Sequence, residues 1–575
     1  MILKALYDYY FRSGNLPLPG MEEKEIGFLI VLSKEGEFLR FEDCRIDKKH
    51  AKKFLVKKQV GRSSAPVANY LYDNSAYVLG YSEKNKEKEE LYLETFKDKI
   101  RAIHERYPES IEINTLLSFY QKTKEEILAA ISKDTLWEEI KKNLSKKYSI
   151  FSFRIDGDLK IVAEKKELLQ IELEADSDNK LKDNLCLVTG DNGIPVETTT
   201  ATMIQGSQAT AKLVAFQVHS GYDSYGKTKC GNAPISQQAE FAYTTALNYM
   251  LSNESHNRFI LGSRTFVFWA SSNNEASQKA ENGLFELLGL TEEKKDDPNA
   301  NVIKVMKVFL SLYSGTLKTG LEDRFYILGL APNSARIAVV YWSEMKLKDF
   351  AGMIVRHFSD MEIHDTRKDK KSYAGLRDML SAVTQGGKQS EATPNLPESL
   401  AKSIFQGLPY PFTLFSSCIR RIKAEQKINI TRVAILKAYL NRMELKNEKK
   451  ISVMLDNENK NQGYLCGRLF AVLDKVQEDT NHISTIRERY LNAASSRPSS
   501  VFATILNLSA HHTEKLTEKS KIYYEKIKQE IFDKLPSEGF PSHLDLQDQG
   551  RFFVGYYHQR QDFFKSNKEH SSETI

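Results

Sequence analysis

Apolar residues recur along this chain in two rhythms, and the change from one to the other organises it. Ile2, Leu6, Tyr9 and Tyr10 fall at i, i+4, i+7 and i+8, which predicts an amphipathic helix stopped by Ser13-Gly14-Asn15. Residues 26–32 and 38–46 read as two strands of a hairpin around Lys34-Glu35-Gly36-Glu37. Helical spacing fills 91–144, with Pro108 as an interruption, and 151–161 predict a hairpin turning at Asp156-Gly157-Asp158. Residues 186–270 mix strands with one helix, 236–251, for which Ser236 is the expected N-cap. Residues 325–330 and 336–342 predict adjacent strands joined through Pro332-Asn333. From about 399 the strand rhythm vanishes. Leu465, Leu469, Val472, Leu473 and Val476 keep helical period, as do Phe553, Tyr556 and Phe563, with breaks at 496–500 and 536–541. The expected fold is α+β: a mixed N-terminal and central region with short antiparallel sheets, then a C-terminal helical bundle. The expected regions are 1–180, 181–398 and 399–575.

Composition narrows the class only partly. At 575 residues, 41% hydrophobic and 27% charged, the chain is globular rather than disordered. The net charge of +6 is too mild to identify a partner, so local clustering matters more. Cysteines at 44, 186, 230, 418 and 466 have no CxxC spacing, which argues against a disulfide framework or structural zinc and fits a reducing cytoplasm. Lys4 and Asp8 interrupt the first apolar stretch, so no signal peptide is expected. No apolar run approaches the ~20 residues of a membrane span. Neither a metal nor a cofactor is expected.

The candidate chemistry is non-covalent. Residues 48–62, KKHAKKFLVKKQVGR, carry seven Lys or Arg and no acid, which suits contact with a phosphate backbone or equally a solvated face. Arg62, Ser64, Asn69, Tyr70 and Asn74 follow, supplying groups that bond to base edges or stack on bases, or that simply close turns. The loops Gln205-Gly206-Ser207-Gln208 and Tyr225-Gly226-Lys227…Asn232 offer neutral donors and acceptors with few acid–base groups. Gly206 and Gly226 allow close backbone approach. A formal phosphate-loop match runs from Gly221 to Thr228, but Gly231 and Pro234 oppose the helix that must follow. His364-Asp365 lacks companion ligands, and Ser207 lacks a nucleophile elbow. A second cationic row holds Arg420, Arg421, Lys423, Lys427, Arg432, Lys437 and Arg442 against Glu425.

Long stretches carry a resemblance. CLVTG at 186, LVAFQ at 213, SYGK at 224, NAPIS at 232, EFAYTTALN at 240 and FVFWA at 266 are similar to the large subunit of the type I-C CRISPR surveillance complex, Cascade. So are MILKALYDYY, APVANYLYDNSAYVLG, MLDNENKNQGYLCGRLFAVLDKVQED, IRERYLNAASSRPSSVF and DLQDQGRFFVGYYHQRQDFF, in order from Met1 to Phe564.

The resemblance implies a cytoplasmic, non-catalytic subunit of an RNA-guided antiviral complex. It implies recognition of the protospacer-adjacent motif in duplex DNA, help in strand opening, stabilisation of the R-loop and recruitment of a helicase-nuclease. Implied partners are the CRISPR RNA-containing backbone and handle-binding subunits, target double-stranded DNA, a small subunit and the helicase-nuclease. Residues 454–575 resemble that small subunit, with Met454 matching an internal start. On this footing Lys48, Lys49, Lys52, Lys53, Lys57 and Lys58 are expected to grip phosphates. Arg62, Ser64, Asn69 and Asn74 are expected at the groove. Gln205, Gln208, Lys227 and Asn232 are expected at base edges or at the opening wedge, and Arg468, Arg487, Arg489 and Lys515 on the displaced strand. Two other classes remain open: a nucleotide-hydrolysing enzyme acting through the phosphate-loop match, and a pure scaffold.

Overall fold

The computed structural model describes residues 1–14, 16–60, 66–83, 86–146, 148–165, 168, 184–216, 219, 223–252, 255–287, 300–366, 374–388, 391–443, 450–482 and 485–572, except the side chains of 300–301 and 565–572. The fold is α+β, as expected. It divides into two compact units. One holds Met1–Ser13, Thr198–Gln217 and Ala246–Ile575; the other holds Gly14–Glu197 and Val218–Thr245. This differs from three successive regions, for a physical reason. A single apolar core runs from Phe259 in the sheet region to Phe563 in the last helix, so residues on both sides of 399 share it. Helix α1 (Ile2–Ser13) joins that same unit. Its Tyr9 meets Trp269 edge-on at 6.5 Å, and its Arg12 donates to the Ser272 carbonyl and pairs with Glu281.

In the unit containing Gly14–Glu197, β1 (Met21–Glu25), β2 (Phe28–Leu32), β3 (Phe38–Asp43), β4 (Lys53–Lys57), β5 (Tyr72–Asn74) and β6 (Ile150–Ile155) form two sheets. The larger has the order β3-β2-β6-β5, and β1 pairs with β4 separately. β2, FLIVL, is buried along its length, as a central strand covered on both faces requires. The β2–β3 hairpin forms where the sequence predicts it. Gly36 turns with φ +86°, and a Cβ there would meet Thr115, Ser118 and Phe119 at 2.7–2.8 Å. The hairpin expected at 151–161 does not form. β6 is flanked by parallel β2 on one side and antiparallel β5 on the other, so no edge remains for a returning strand. The chain leaves the sheet at Gly157, and Lys165 holds that turn through Asp158 and Glu112. Helices α2 (Ser75–Val78), α3 (Glu89–Arg106), α4 (Ile111–Tyr120), α5 (Lys124–Ile131) and α6 (Trp137–Asn143) complete the core, with Pro108 between α3 and α4.

Helix α7 (Gln237–Leu251) is capped as predicted, the Ser236 hydroxyl accepting the Ala239 N–H at 3.2 Å. In the larger unit, β7 (Arg258–Leu261), β8 (Arg264–Ala270), β9 (Arg324–Asn333) and β10 (Arg336–Lys346) form an antiparallel meander in chain order. Gly329 sits at its bulge because a Cβ there would lie 2.7 Å from the Phe266 and Tyr341 side chains. Helices α8 (Glu275–Leu287) and α9 (Ala300–Ser314) lie between the second and third strands in sequence. After β10 the described chain is helical: α10 (Leu347–Met361), α11 (Leu376–Val383), α12 (Leu396–Phe405), α13 (Phe412–Glu425), α14 (Ile430–Arg442), α15 (Gln462–Asn481), α16 (Thr485–Ala494), α17 (Pro498–Thr513), α18 (Glu518–Phe532) and α19 (Leu546–Ser572). α15 and α19 touch backbone to backbone. Gly463 faces the Asp548 carbonyl, Gly467 that of Phe552 and Gly555 that of Tyr464, each too close to admit a Cβ.

Two buried imidazoles give this unit a pH signature. His357 lies 2.7 Å from the Tyr410 hydroxyl; burial, then the Arg442 charge, hold its pKa down to about 3. His558 lies 2.9 Å from the Tyr464 hydroxyl; burial, then the Lys437 charge, do the same, again to about 3. Against an ordinary value of 6.5, both rings stay neutral in the folded chain and take up protons on unfolding. Stability is therefore complete above that value and falls as pH drops from it toward 3, by roughly 1.4 kcal/mol per pH unit per ring. The buried Asp474 carboxyl, pushed up by burial, acts in the opposite sense. The check is melting temperature against pH for the parent and for His558→Asn. The variant should show a shallower acid slope, and an unchanged slope would remove this ring as a source.

Candidate nucleic-acid interface

The basic stretch folds as a loop followed by β4. Asp47 accepts the backbone N–H groups of Lys49 and His50, which shapes the loop and leaves Lys48 and Lys49 exposed. In β4 the side chains of Phe54 and Val56 enter the core, and Lys53 and Lys57 take the alternate face. Lys52 and Lys58 stand exposed just outside the two ends of the strand. Lys52 lies over the Phe54 ring at 5.2 Å, and Lys57 lies 5.5 Å from the centre of the buried Tyr70 ring. The stretch is acid-free in sequence but not in space. β1, MEEKE, pairs with β4 and sets Glu25 opposite Lys53 and Glu23 opposite Leu55. Strand pairing at a sequence distance of about thirty residues brings those carboxylates in, and the local charge count misses them. It also misses Lys99 of α3, whose ammonium lies 5.8 Å from the same Tyr70 ring.

The expected groove readers divide. Arg62 and Ser64 lie outside the described residues. Asn69 is buried; its side-chain oxygen accepts the Val60 N–H at 3.0 Å, and its own N–H donates to Asp73 at 2.9 Å. Asn74 is the N-cap of α2, accepting the Ala76 N–H at 3.0 Å. The side-chain oxygens of both serve internal bonds, and burial corrects the groove position expected for Asn69. The reason is the Asx habit of closing turns and capping helices.

Two polar loops are exposed. At 223–233, Tyr225 (φ +58°) is 94% exposed, Gly226 has φ +70°, and Lys227 points to solvent. The Asn232 amide donates to the Ser224 carbonyl at 2.9 Å and so braces the loop, while Lys229 pairs with Glu197. Short 3-10 turns at 224–226 and 229–232 stand where a phosphate-binding loop needs a helix to open, so the match beginning at Gly221 lacks that geometry among the described residues. In the other unit, Gln205 and Gln208 are exposed on a turn with Gly206 at φ +83°. The Ser207 hydroxyl is spent on the Ile204 carbonyl, and Gly206 rests near Pro332 at the β9–β10 tip.

In the helical region the outward position expected for Arg468 is corrected. Its side chain is 1% exposed, donating to Gln559 at 3.0 Å and to Glu530 at 3.2 Å. Arg487 is partly buried against Tyr556 and Asp474. Arg489 and Lys515 are exposed. Met454 lies in the irregular stretch between α14 and α15. The Asp365 carboxylate accepts the Tyr557 hydroxyl at 3.1 Å, and the described residues contain no group of three or more His, Cys, Asp or Glu able to hold a metal ion. All five cysteines are free and buried. No described helix is long and apolar enough to cross a membrane.

Comparison with known proteins places these features in context. A family model described as "CRISPR-associated protein (Cas_Csd1)" matches residues 5–564. None of the curated proteins matches the chain.

Proposed function

The chain belongs to the Cas_Csd1 family of CRISPR-associated proteins and is a Cascade large subunit, and from that premise we propose that it grips and helps open target duplex DNA without cutting it. In this reading it is a cytoplasmic, non-catalytic subunit of a type I-C complex. It recognises the protospacer-adjacent motif, stabilises the R-loop and helps recruit the helicase-nuclease. Its partners are the CRISPR RNA-containing backbone and handle-binding subunits, a small subunit and the target DNA.

The observation that carries the reading is a family match spanning 5–564. The exposed cations supply a physical means. Lys48, Lys49, Lys52 and Lys58 are the phosphate contacts; Lys53, also exposed, stands opposite Glu25 in the β1–β4 pair, and Lys57 is half-buried beside the Tyr70 ring. Arg62 and Ser64 remain the groove candidates. Gln205 and Gln208, and separately Tyr225, Lys227 and Asn232, are the candidates for base edges and the opening wedge. A planar side chain held at a braced loop tip suits insertion beside an unstacking base. Arg489 and Lys515 are the candidates for the displaced strand. A start at Met454 would retain α15 to α19 whole, which suits a separately made small subunit.

The test is a salt titration of duplex binding by the assembled complex. Changing Lys48, Lys49, Lys52 and Lys58 together to Gln should lower the slope of log affinity on log salt by about 3.6, near 0.9 per lost phosphate contact. Lys53→Gln with Lys57→Gln should change it little. An unchanged slope in the fourfold variant would remove the lysine grip. A scaffold whose cations meet only partner subunits and guide RNA predicts no preference for duplex bearing the adjacent motif.

A further inference from the structure

The second cationic row is sorted by the fold. Arg421 and Arg432 close on Glu425. Lys437 donates to the Asp360 backbone carbonyl at 2.9 Å. Arg442 is buried on Asp360, with its guanidinium 4.2 Å from the centre of the Tyr410 ring. Those four cations hold the bundle together. Arg420 and Lys423 stand one turn apart on one side of α13, and neither pairs with a carboxylate among the described residues. Arg420 is exposed and donates to the Ser417 hydroxyl at 2.9 Å. Lys423 donates to the neutral Gln549 oxygen at 2.7 Å, and burial alone lowers its pKa.

Both cations line an open cavity of about 450 Å³ between α13, α16 and the first turn of α19. The other walls are neutral: Ser416 on α13, Asn492 on α16 and Gln549 on α19, with Leu546, 40% exposed, as the apolar face. Arg489 is exposed three residues before Asn492, hence on the same side of α16. The start of α19 is already capped, because Asp545 accepts the Asp548 N–H at 2.8 Å. The case for the groove rests on its side chains and not on a helix end.

We propose that this groove takes one nucleotide of single-stranded nucleic acid, the phosphate between Arg420 and Lys423 and the base on Leu546 with Asn492 and Gln549 at its edge. The inference rests on the reading of the chain as a nucleic-acid-gripping subunit, and names a site for it. An open cleft of this size with one apolar wall suits a single unstacked base. An acidic peptide is the competing occupant, and displacement by polyglutamate decides between the two.

The test uses the full-length protein, a fluorescein-labelled short oligothymidylate and, separately, a labelled duplex. Arg420→Gln with Lys423→Gln should weaken oligothymidylate binding about tenfold and lower its salt slope by about 0.7, the value for one single-strand phosphate contact. Duplex binding and melting temperature should stay at the parent's values. A double variant that binds the oligothymidylate like the parent overturns the site. So does displacement of the strand by polyglutamate or inorganic polyphosphate as readily as by unlabelled oligothymidylate. A parent that grips duplex but ignores the single strand sinks this groove alone. A parent that grips neither sinks the reading beneath it.

Discussion

Gly467→Ala is expected to destabilise the larger unit severely, although alanine is the better helix former. Alanine in place of a mid-helix glycine gains about 1 kcal/mol of helix propensity. Here the added Cβ would fall within the van der Waals shell of the Phe552 carbonyl oxygen on α19. That neighbour is backbone, so no side-chain rotation can relieve the overlap; the two helices must separate or tilt. Gly463 and Gly555 hold the same close contact on either side, so the separation would have to run along the whole crossing. Overpacking of a rigid interior costs about 3 kcal/mol or more, and it outweighs the propensity gain. Calorimetry should show the unit's melting transition lowered by several degrees, with early proteolysis near α19. A raised melting temperature would mean that the helices do not touch there.

The second large effect is expected at Arg468. Replacement by Ala should cost about 3 kcal/mol, because it empties a buried volume and strands the Gln559 amide. The Glu530 partner is 38% exposed and also bonded by Lys534, so the lost ion pair itself adds little. Arg468→Met keeps most of the volume and should recover most of the stability. Neither change should alter affinity for single-stranded nucleic acid once folded protein is compared with folded protein. A loss of affinity in Arg468→Met without a loss of stability would show that this arginine works outside the bundle.

Arg468 also shows where sequence reasoning reaches its limit. The period of Leu465, Leu469, Val472 and Val476 makes α15 legible as a helix. One apolar stripe does not show that a second helix covers the opposite face. α15 is buried nearly all round, so its arginine is interior. The hairpins at Gly36 and Pro332 were legible because turn residues and alternation agreed. The expected hairpin at 151–161 shared those signals and failed, because β6 pairs with strands more than seventy residues away in sequence. The interface was legible in part. Lysine clustering located the ribbon, but the carboxylates of β1 reach it only through strand register. Asn69 and Asn74 looked like readers because an amide that closes a turn and one that meets a base edge are the same residue type.

The placement of α1 has a consequence for synthesis. Helix α1 belongs with β8, and its contacts Trp269, Ser272 and Glu281 are made more than two hundred residues later. The unit containing Gly14–Glu197 can begin folding meanwhile, leaving Leu6, Tyr9 and Tyr10 without their shelter. Helix α1 is thus made well before the sheet that clasps it. Blocking it should trap a species whose later-made sheet remains open along one side.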